Sequence, residues 1–159
     1  MEKFNNRKKL RLEKYDYKSY GAYFITICTE DKKHILGKIV GGDAYIAPYI
    51  ELSEYGQAVE KYLKNITGID VYTIMPNHIH MIIRIGIDSD GTMWASSPTH
   101  GIPQLIKSFK TLVTKNCGKS IFQRSYYDHI IRDEKDYMEK RNYILTNPSK
   151  WAEDEYYSG

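Results

Sequence analysis

Two histidines one residue apart, His78 and His80, head an apolar run in the stretch MPNHIHMIIRI. In an extended chain side chains alternate between faces, so both imidazoles point the same way while Ile79 points to the other, and their Cα atoms lie about 6–7 Å apart. A strand this apolar belongs at the centre of a sheet, where an imidazole with nothing to bind is costly. A metal ion is the natural shared partner, although a packed pair of strand histidines has the same pattern. Farther along, Tyr143 and Asn147 are four residues apart in a helical pattern. That spacing puts a phenol and an amide on one helix face, within about 6 Å at Cβ. Read alone, the pair is also an ordinary core tyrosine and an asparagine that ends a helix ahead of Pro148.

The elements that must position these groups can be read from periodicity. Residues 71–85, VYTIMPNHIHMIIRI, form two apolar strands joined by a Met-Pro-Asn bend, with the histidines opening the second. Residues 21–29, GAYFITICT, are aromatic and β-branched over almost their whole length and make a buried strand. Two short apolar runs in residues 36–48 flank Gly41-Gly42-Asp43, a hairpin whose turn calls for positive φ. From Ser53, the positions Tyr55, Val59, Tyr62 and Leu63 follow helical spacing, with Gly68 as a stop. Leu105, Ile106, Phe109, Leu112, Val113 and Cys117 do the same over residues 102–117, with Pro103 in the tolerant first turn. Residues 126–132 read as a short strand, and Asp133 caps a helix from Glu134 to about Thr146 that Asn147-Pro148 ends. The polar, periodless residues 86–101 are a loop. This order implies an α+β fold, an antiparallel sheet with helices packed on one face, and its strand-helix-strand units point to a ferredoxin-like arrangement.

With 159 residues and 42% hydrophobic content the chain fits one domain over 1–159, preceded within it by a basic segment over about 1–18. There is no long apolar run and the N-terminal stretch is polar, so neither a membrane span nor a signal peptide is expected, and the protein is expected in the cytoplasm. Cys28 and Cys117 are far apart in apolar patterns, as suits reduced, buried thiols. The net charge of +3 is unevenly placed: residues 1–18 hold seven basic and three acidic residues, against 16 basic and 17 acidic in the rest. Arg7, Lys8, Lys9, Arg11 and Lys14 can track a phosphate backbone, and a solvated tail fits the same charges. Lys107, Lys110 and Lys115 lie on the polar side of the 102–117 helix, a face for nucleic acid or simply for water. The 15 tyrosines offer surfaces for base stacking as well as for a core.

The block MPNHIHMII, taken with RKKLRLEKYDY, YDHIIRDE and YILTNPSKW, resembles the REP-associated tyrosine transposase branch of the single-tyrosine HUH transposases, from Arg7 to about Trp151. The resemblance implies a ferredoxin-like fold acting on single-stranded or hairpin DNA. It matches His78 and His80 to the metal-binding histidines and Tyr143 to the nucleophile. Asn147 falls where insertion-sequence relatives place a glutamine that completes the metal shell, and the shorter amide leaves that third ligand open. Mg²⁺ or Mn²⁺ is the implied cofactor, a homodimer the implied assembly, and no membrane is involved. Arg7, Lys8, Lys9 and Arg11 become the implied DNA contacts, with Tyr15 and Tyr17 as stacking partners, and Lys107 and Lys110 stay candidate DNA contacts by their place on the polar helix face. The implied reaction is nicking and joining of single strands through a 5′-phosphotyrosine. Two other functions stay open at this stage: a domesticated hairpin-DNA or single-strand-binding module that no longer cleaves, and a metal-dependent hydrolase in which water replaces tyrosine. His129, inside YDHIIRDE, has no role assigned by spacing.

Overall fold

A computed structural model describes residues 21–85 and 101–153 of the chain. The basic segment with Arg7, Lys8, Lys9 and Arg11, its tyrosines Tyr15 and Tyr17, and nearly all of the 86–101 loop lie outside the described residues. Strands β1 (Gly21–Cys28), β4 (Ile69–Met75), β5 (His78–Ile85) and β6 (Tyr127–Ile131) form one antiparallel sheet in the order β4-β5-β1-β6. Helix α1 (Glu54–Leu63) links β1 to β4, and α2 (Ile102–Cys117) links β5 to β6. Each of these connections steps over one intervening strand, and the two interleave, which is the ferredoxin-like arrangement. A hairpin of β2 (Gly37–Val40) and β3 (Tyr49–Leu52) is inserted before α1, and a third helix, α3 (Glu134–Thr146), follows β6.

The central strands are apolar throughout because both of their faces are covered. On one face Tyr23, Ile25 and Ile27 of β1 and Ile79, Met81 and Ile83 of β5 meet Val59 and Leu63 of α1 and Ile106, Phe109 and Val113 of α2. On the other face Phe24 and Ile82 meet Ile144 of α3. Each fully buried side chain of this kind is worth about 1.5–3 kcal/mol, so the first face carries most of the hydrophobic stabilisation. The sequence-based expectation that the helices share one face therefore holds for α1 and α2 and needs correcting for α3. The apolar stripe that anchors α3 is short, with Ile144 its buried residue, so its side of the sheet is not marked by the pattern.

Local signals behave as their chemistry requires. Ser53 caps α1 by accepting from the Gly56 amide at 3.1 Å, and Asp133 caps α3 by accepting from the Asp136 amide at 2.8 Å. Gly41 and Gly42 have φ of 81° and 89°, the positive values expected of the hairpin turn, but the return strand starts at Tyr49, so residues 41–48 all belong to the loop. The Asp43 carboxylate organises that loop by accepting from the Tyr45 and Ile46 amides. Helix α1 stops at Leu63 rather than running to Gly68, whose φ of 88° turns the chain into β4. Asn147 keeps helical dihedrals despite preceding proline, and the chain continues as a 3₁₀ turn over Asn147–Glu153. Pro148 ends the α-helical hydrogen bonding, but a new first turn needs no amide hydrogen from it. Among the described residues no helix is long and apolar enough to cross a membrane.

Candidate metal and tyrosine site

His78 and His80 are both buried, at 0% and 1% exposure, in the middle strand β5. Their rings lie 4.5 Å apart between centroids, on the sheet face that α3 covers. Each ring is anchored through Nδ1. His80 Nδ1 is 2.8 Å from Thr26 Oγ1 across the β1–β5 ladder, where the two residues are register partners. His78 Nδ1 is 2.8 Å from Oδ1 of its neighbour Asn77. The amide of Asn77 is oriented by its own bond, Nδ2 donating to the Lys32 carbonyl at 3.4 Å. With oxygen rather than NH₂ presented to His78, Nδ1 of that ring is the protonated nitrogen and Nε2 keeps its lone pair. That is the tautomer a metal ligand needs, fixed by a partner outside the ligand set.

The turn that delivers Asn77 is itself held from several sides. The Asn77 carbonyl accepts from the Thr29 amide at 3.0 Å, and the Pro76 carbonyl from the Leu36 amide at 3.0 Å. Asp31 and Lys32 adopt φ of 55° and 53°. Left-handed backbone costs a non-glycine residue about 1 kcal/mol or more, and here it aims the Lys32 carbonyl at the buried amide.

Helix α3 brings the second half of the site. The Tyr143 ring stands 4.9 Å from the His80 ring and 6.1 Å from Phe24. Eight residues on, in the 3₁₀ turn, Trp151 stacks on His78 at 6.0 Å with 23° between the ring planes. The stripe Tyr143, Asn147, Trp151 thus runs antiparallel to β5 over the histidine pair, with Asn147 falling between its two ends. Asn147 is 2% exposed, and its Oδ1 is a buried acceptor that makes no hydrogen bond among the described residues. Among those residues no group of three His, Cys, Asp or Glu side chains gathers to hold a metal. The donor set on offer is two neutral imidazoles and one amide oxygen, which suits a hard divalent ion that keeps open positions, not a closed structural zinc site.

Beside Tyr143 a cleft of about 420 Å³ opens between α3 and the sheet, lined by Phe24, Thr26, His80, Tyr127, Lys140 and Tyr143 together with Glu139. Its rim is cross-linked: Asp136 accepts from Lys140 at 3.2 Å and pairs with His129 Nε2 at 2.7 Å. Asp136 stays below the ordinary aspartate value; partial burial opposes its charged form, but the bonds and charges of His129 and Lys140 outweigh that. His129 is therefore a structural clasp between β6 and α3. On the far side of α3, Tyr137 donates to Asp70 at 2.6 Å, and Arg84 reaches the same carboxylate at 3.2 Å.

No family model matches the chain. An uncharacterized protein of Haemophilus influenzae is 34% identical over 175 positions, covering 96% of this chain and 94% of that protein. A second protein of that organism, assigned as a REP-associated tyrosine transposase, is 28% identical over 142 positions, 85% of this chain and 74% of its own length. The REP-associated tyrosine transposase of Escherichia coli K12 is 31% identical over 85 positions, 52% of this chain and 44% of that protein. A solved structure of a REP-associated tyrosine transposase bound to a REP hairpin superposes with a TM-score of 0.61 at 19% identity, covering 89% of this chain and 74% of that one. The chain is similar to REP-associated tyrosine transposases. At 19% identity the structural likeness is one of fold, and it agrees with the interleaved sheet described above.

The described residues bring His78, His80 and Tyr143 together within one chain, with Asn147 buried one turn beyond Tyr143, whereas Lys107 and Lys110 lie on α2, across the sheet. Lys110 is largely turned inward: its ammonium donates to the Gln123 and Arg124 carbonyls at 2.8 and 3.1 Å. Sequence reasoning missed Trp151, Asn77 and Thr26. Asn77 was within reach of inspection, as the residue preceding the histidines at the turn. Trp151 was hidden by the helix stop assumed at Pro148.

Proposed function

We propose that this chain is a transposase that nicks and rejoins single-stranded DNA beside a hairpin, with Tyr143 as nucleophile and Mg²⁺ or Mn²⁺ held by His78, His80 and Asn147. The observation that carries the reading is the approach of the Tyr143 ring to 4.9 Å from the His80 ring inside one chain. When bound, the ion neutralises charge on the non-bridging oxygens of the scissile phosphate and holds it for in-line attack. Tyr143 Oη bonds to phosphorus as the bond to the 3′ oxygen breaks. The phenolic proton ends on that oxygen, giving a 5′-phosphotyrosine and a free 3′-hydroxyl. A free phenol titrates near 10, so attack needs help in losing its proton. Lys140, one helical turn before Tyr143, lines the same cleft and offers a cation to the scissile phosphate. Because the phosphotyrosine keeps a diester's bond energy, a 3′-hydroxyl of another strand reverses the step and joins it, with no nucleotide cofactor. Arg7, Lys8, Lys9 and Arg11 contact the DNA backbone in this reading, and the reaction takes place in the cytoplasm.

The test uses labelled hairpin oligonucleotides with single-stranded flanks, built from palindromes repeated beside the coding gene, incubated with protein and Mn²⁺ and resolved on denaturing gels. The expected result is a covalent protein-DNA band that Tyr143→Phe abolishes. Cleavage that survives this substitution would sink the tyrosine mechanism in favour of water as nucleophile. Tight binding without any cleavage would instead mark a DNA-binding module.

A further inference from the structure

A second groove, of about 430 Å³, runs along α2 on the opposite side of the sheet from the tyrosine cleft. Among the described residues four cations line it, Lys107, Lys110, Lys115 and Arg124, together with Thr111 and Thr114, and no carboxylate does. Two observations say the cluster is built. Lys107, Thr111 and Thr114 follow helical spacing on one stripe of α2, beside the buried stripe of Ile106, Phe109 and Val113. Lys110 ties the groove's other wall down, holding the carbonyls of Gln123 and Arg124 and lying 5.8 Å over the Tyr126 ring. Arg124 is thereby fixed as the wall facing α2.

The position of this groove decides what it serves. Tyr126 lines it, while the next residue, Tyr127, lines the cleft with His80 and Tyr143. Consecutive residues entering a strand face opposite sides of the sheet, so groove and cleft stand back to back across the edge strand β6. A nucleic acid in contact with both must pass round that edge. Lys107 and Lys115 are eight residues apart, about 12 Å along the helix. Over that length a duplex presents about seven phosphates and a single strand about half as many.

Resting on the reading above, we propose that this groove binds the phosphate backbone of the double-stranded stem, whose single-stranded flank turns round β6 into the tyrosine cleft. Lys107, Lys115 and Arg124 make the phosphate contacts, and Lys110 is a positioning residue.

The experiment compares wild type with the triple variant Lys107→Gln, Lys115→Gln, Arg124→Gln. Binding of a hairpin oligonucleotide with a short 5′ flank, and of an unstructured strand of equal length, is measured over a salt series by fluorescence anisotropy. Phosphate contacts are sequence-independent and contribute a slope of about 0.9 each, so the triple variant loses about 2.7 from the log K against log salt slope on the hairpin. On the unstructured strand it loses less than one contact's worth. The matched variant Lys38→Gln, Lys61→Gln, Lys64→Gln, with the same charge removed elsewhere, keeps the hairpin slope. An unchanged slope in the triple variant overturns the proposal, as does an equal loss in the matched variant or on the unstructured strand. If thermal melting shows the triple variant unfolded, Lys115→Gln alone is read for a loss of about 0.9. Tyr143→Phe retains the full slope, so failure of the groove and failure of the tyrosine mechanism give different results.

Discussion

The fate of the site turns on a few atoms around the histidines. His78 presents Nε2 because Asn77 accepts from Nδ1, and the Asn77 amide is oriented by donating to the Lys32 carbonyl. Partners of this kind typically change metal affinity by about 10- to 100-fold when removed. Asn77→Ala is therefore expected to weaken Mn²⁺ binding by about that factor in isothermal titration calorimetry, whereas Asn77→Asp, which keeps an acceptor in place, weakens it less. Wild-type affinity in a folded Asn77→Ala protein would remove the anchoring argument. The proposed ligands and nucleophile were legible because spacing assigns a face, His78 and His80 two apart on a strand and Tyr143 and Asn147 four apart on a helix, while the family resemblance supplied their roles. Their supports were not. Thr26 meets His80 through strand register, 54 residues away in the chain, and Trp151 reaches His78 because the backbone stays helical through Asn147.

At the scale of elements, α3 differs from the helices that hold the fold. Helix α2 buries Ile102, Ile106, Phe109 and Val113, while α3 buries Ile144. Beyond the small apolar cluster of Phe24, Ile82 and Ile144, α3 is held on the sheet by polar contacts, the His129–Asp136–Lys140 clasp on one side and the Asp70–Tyr137–Arg84 cluster on the other. Half-exposed charge pairs of this kind contribute about 1 kcal/mol or less each, less than one well-buried apolar side chain. Among the described helices, the one bearing the proposed nucleophile thus buries the fewest apolar side chains of its own. Hydrogen exchange should show α3 amides opening at lower free energy than those of α2, and Asp136→Ala should quicken exchange in α3 while leaving α2 unchanged. Equal protection of the two helices would mean that the 3₁₀ turn and Trp151 hold α3 more firmly than its polar clasps do. The same weakness explains why the sequence misplaced this helix. With little apolar stripe to read, pattern alone gave α3 its length and its Asp133 cap but not the face of the sheet it would cover.

For the whole molecule the decisive question is which chain supplies the tyrosine. If two copies of the chain pair, a histidine pair can be completed by its own helix or by the partner's, and a sequence cannot distinguish the two. In this chain Tyr143 stands beside His80 and Trp151 beside His78, so both ends of the α3 stripe close over the pair from within. Opening that arrangement to exchange the helix would expose Phe24, Ile82 and Ile144, now 5%, 0% and 0% exposed. It would also break both polar clasps. Burial of the three apolar side chains alone is worth about 5–9 kcal/mol, a cost that exchange recovers only if the partner's helix docks identically. Self-contained assembly therefore wins unless dimer contacts favour the swap. Mixing His80→Ala protein with Tyr143→Phe protein tests this directly. Each chain then lacks one half of the site, and if helix and strand belong to the same chain, no subunit in any mixed dimer has both. The covalent protein-DNA product should stay at the background of the separate variants. Recovery toward a quarter or more of wild-type product, with size-exclusion chromatography showing dimers, would instead require the helix to cross between subunits.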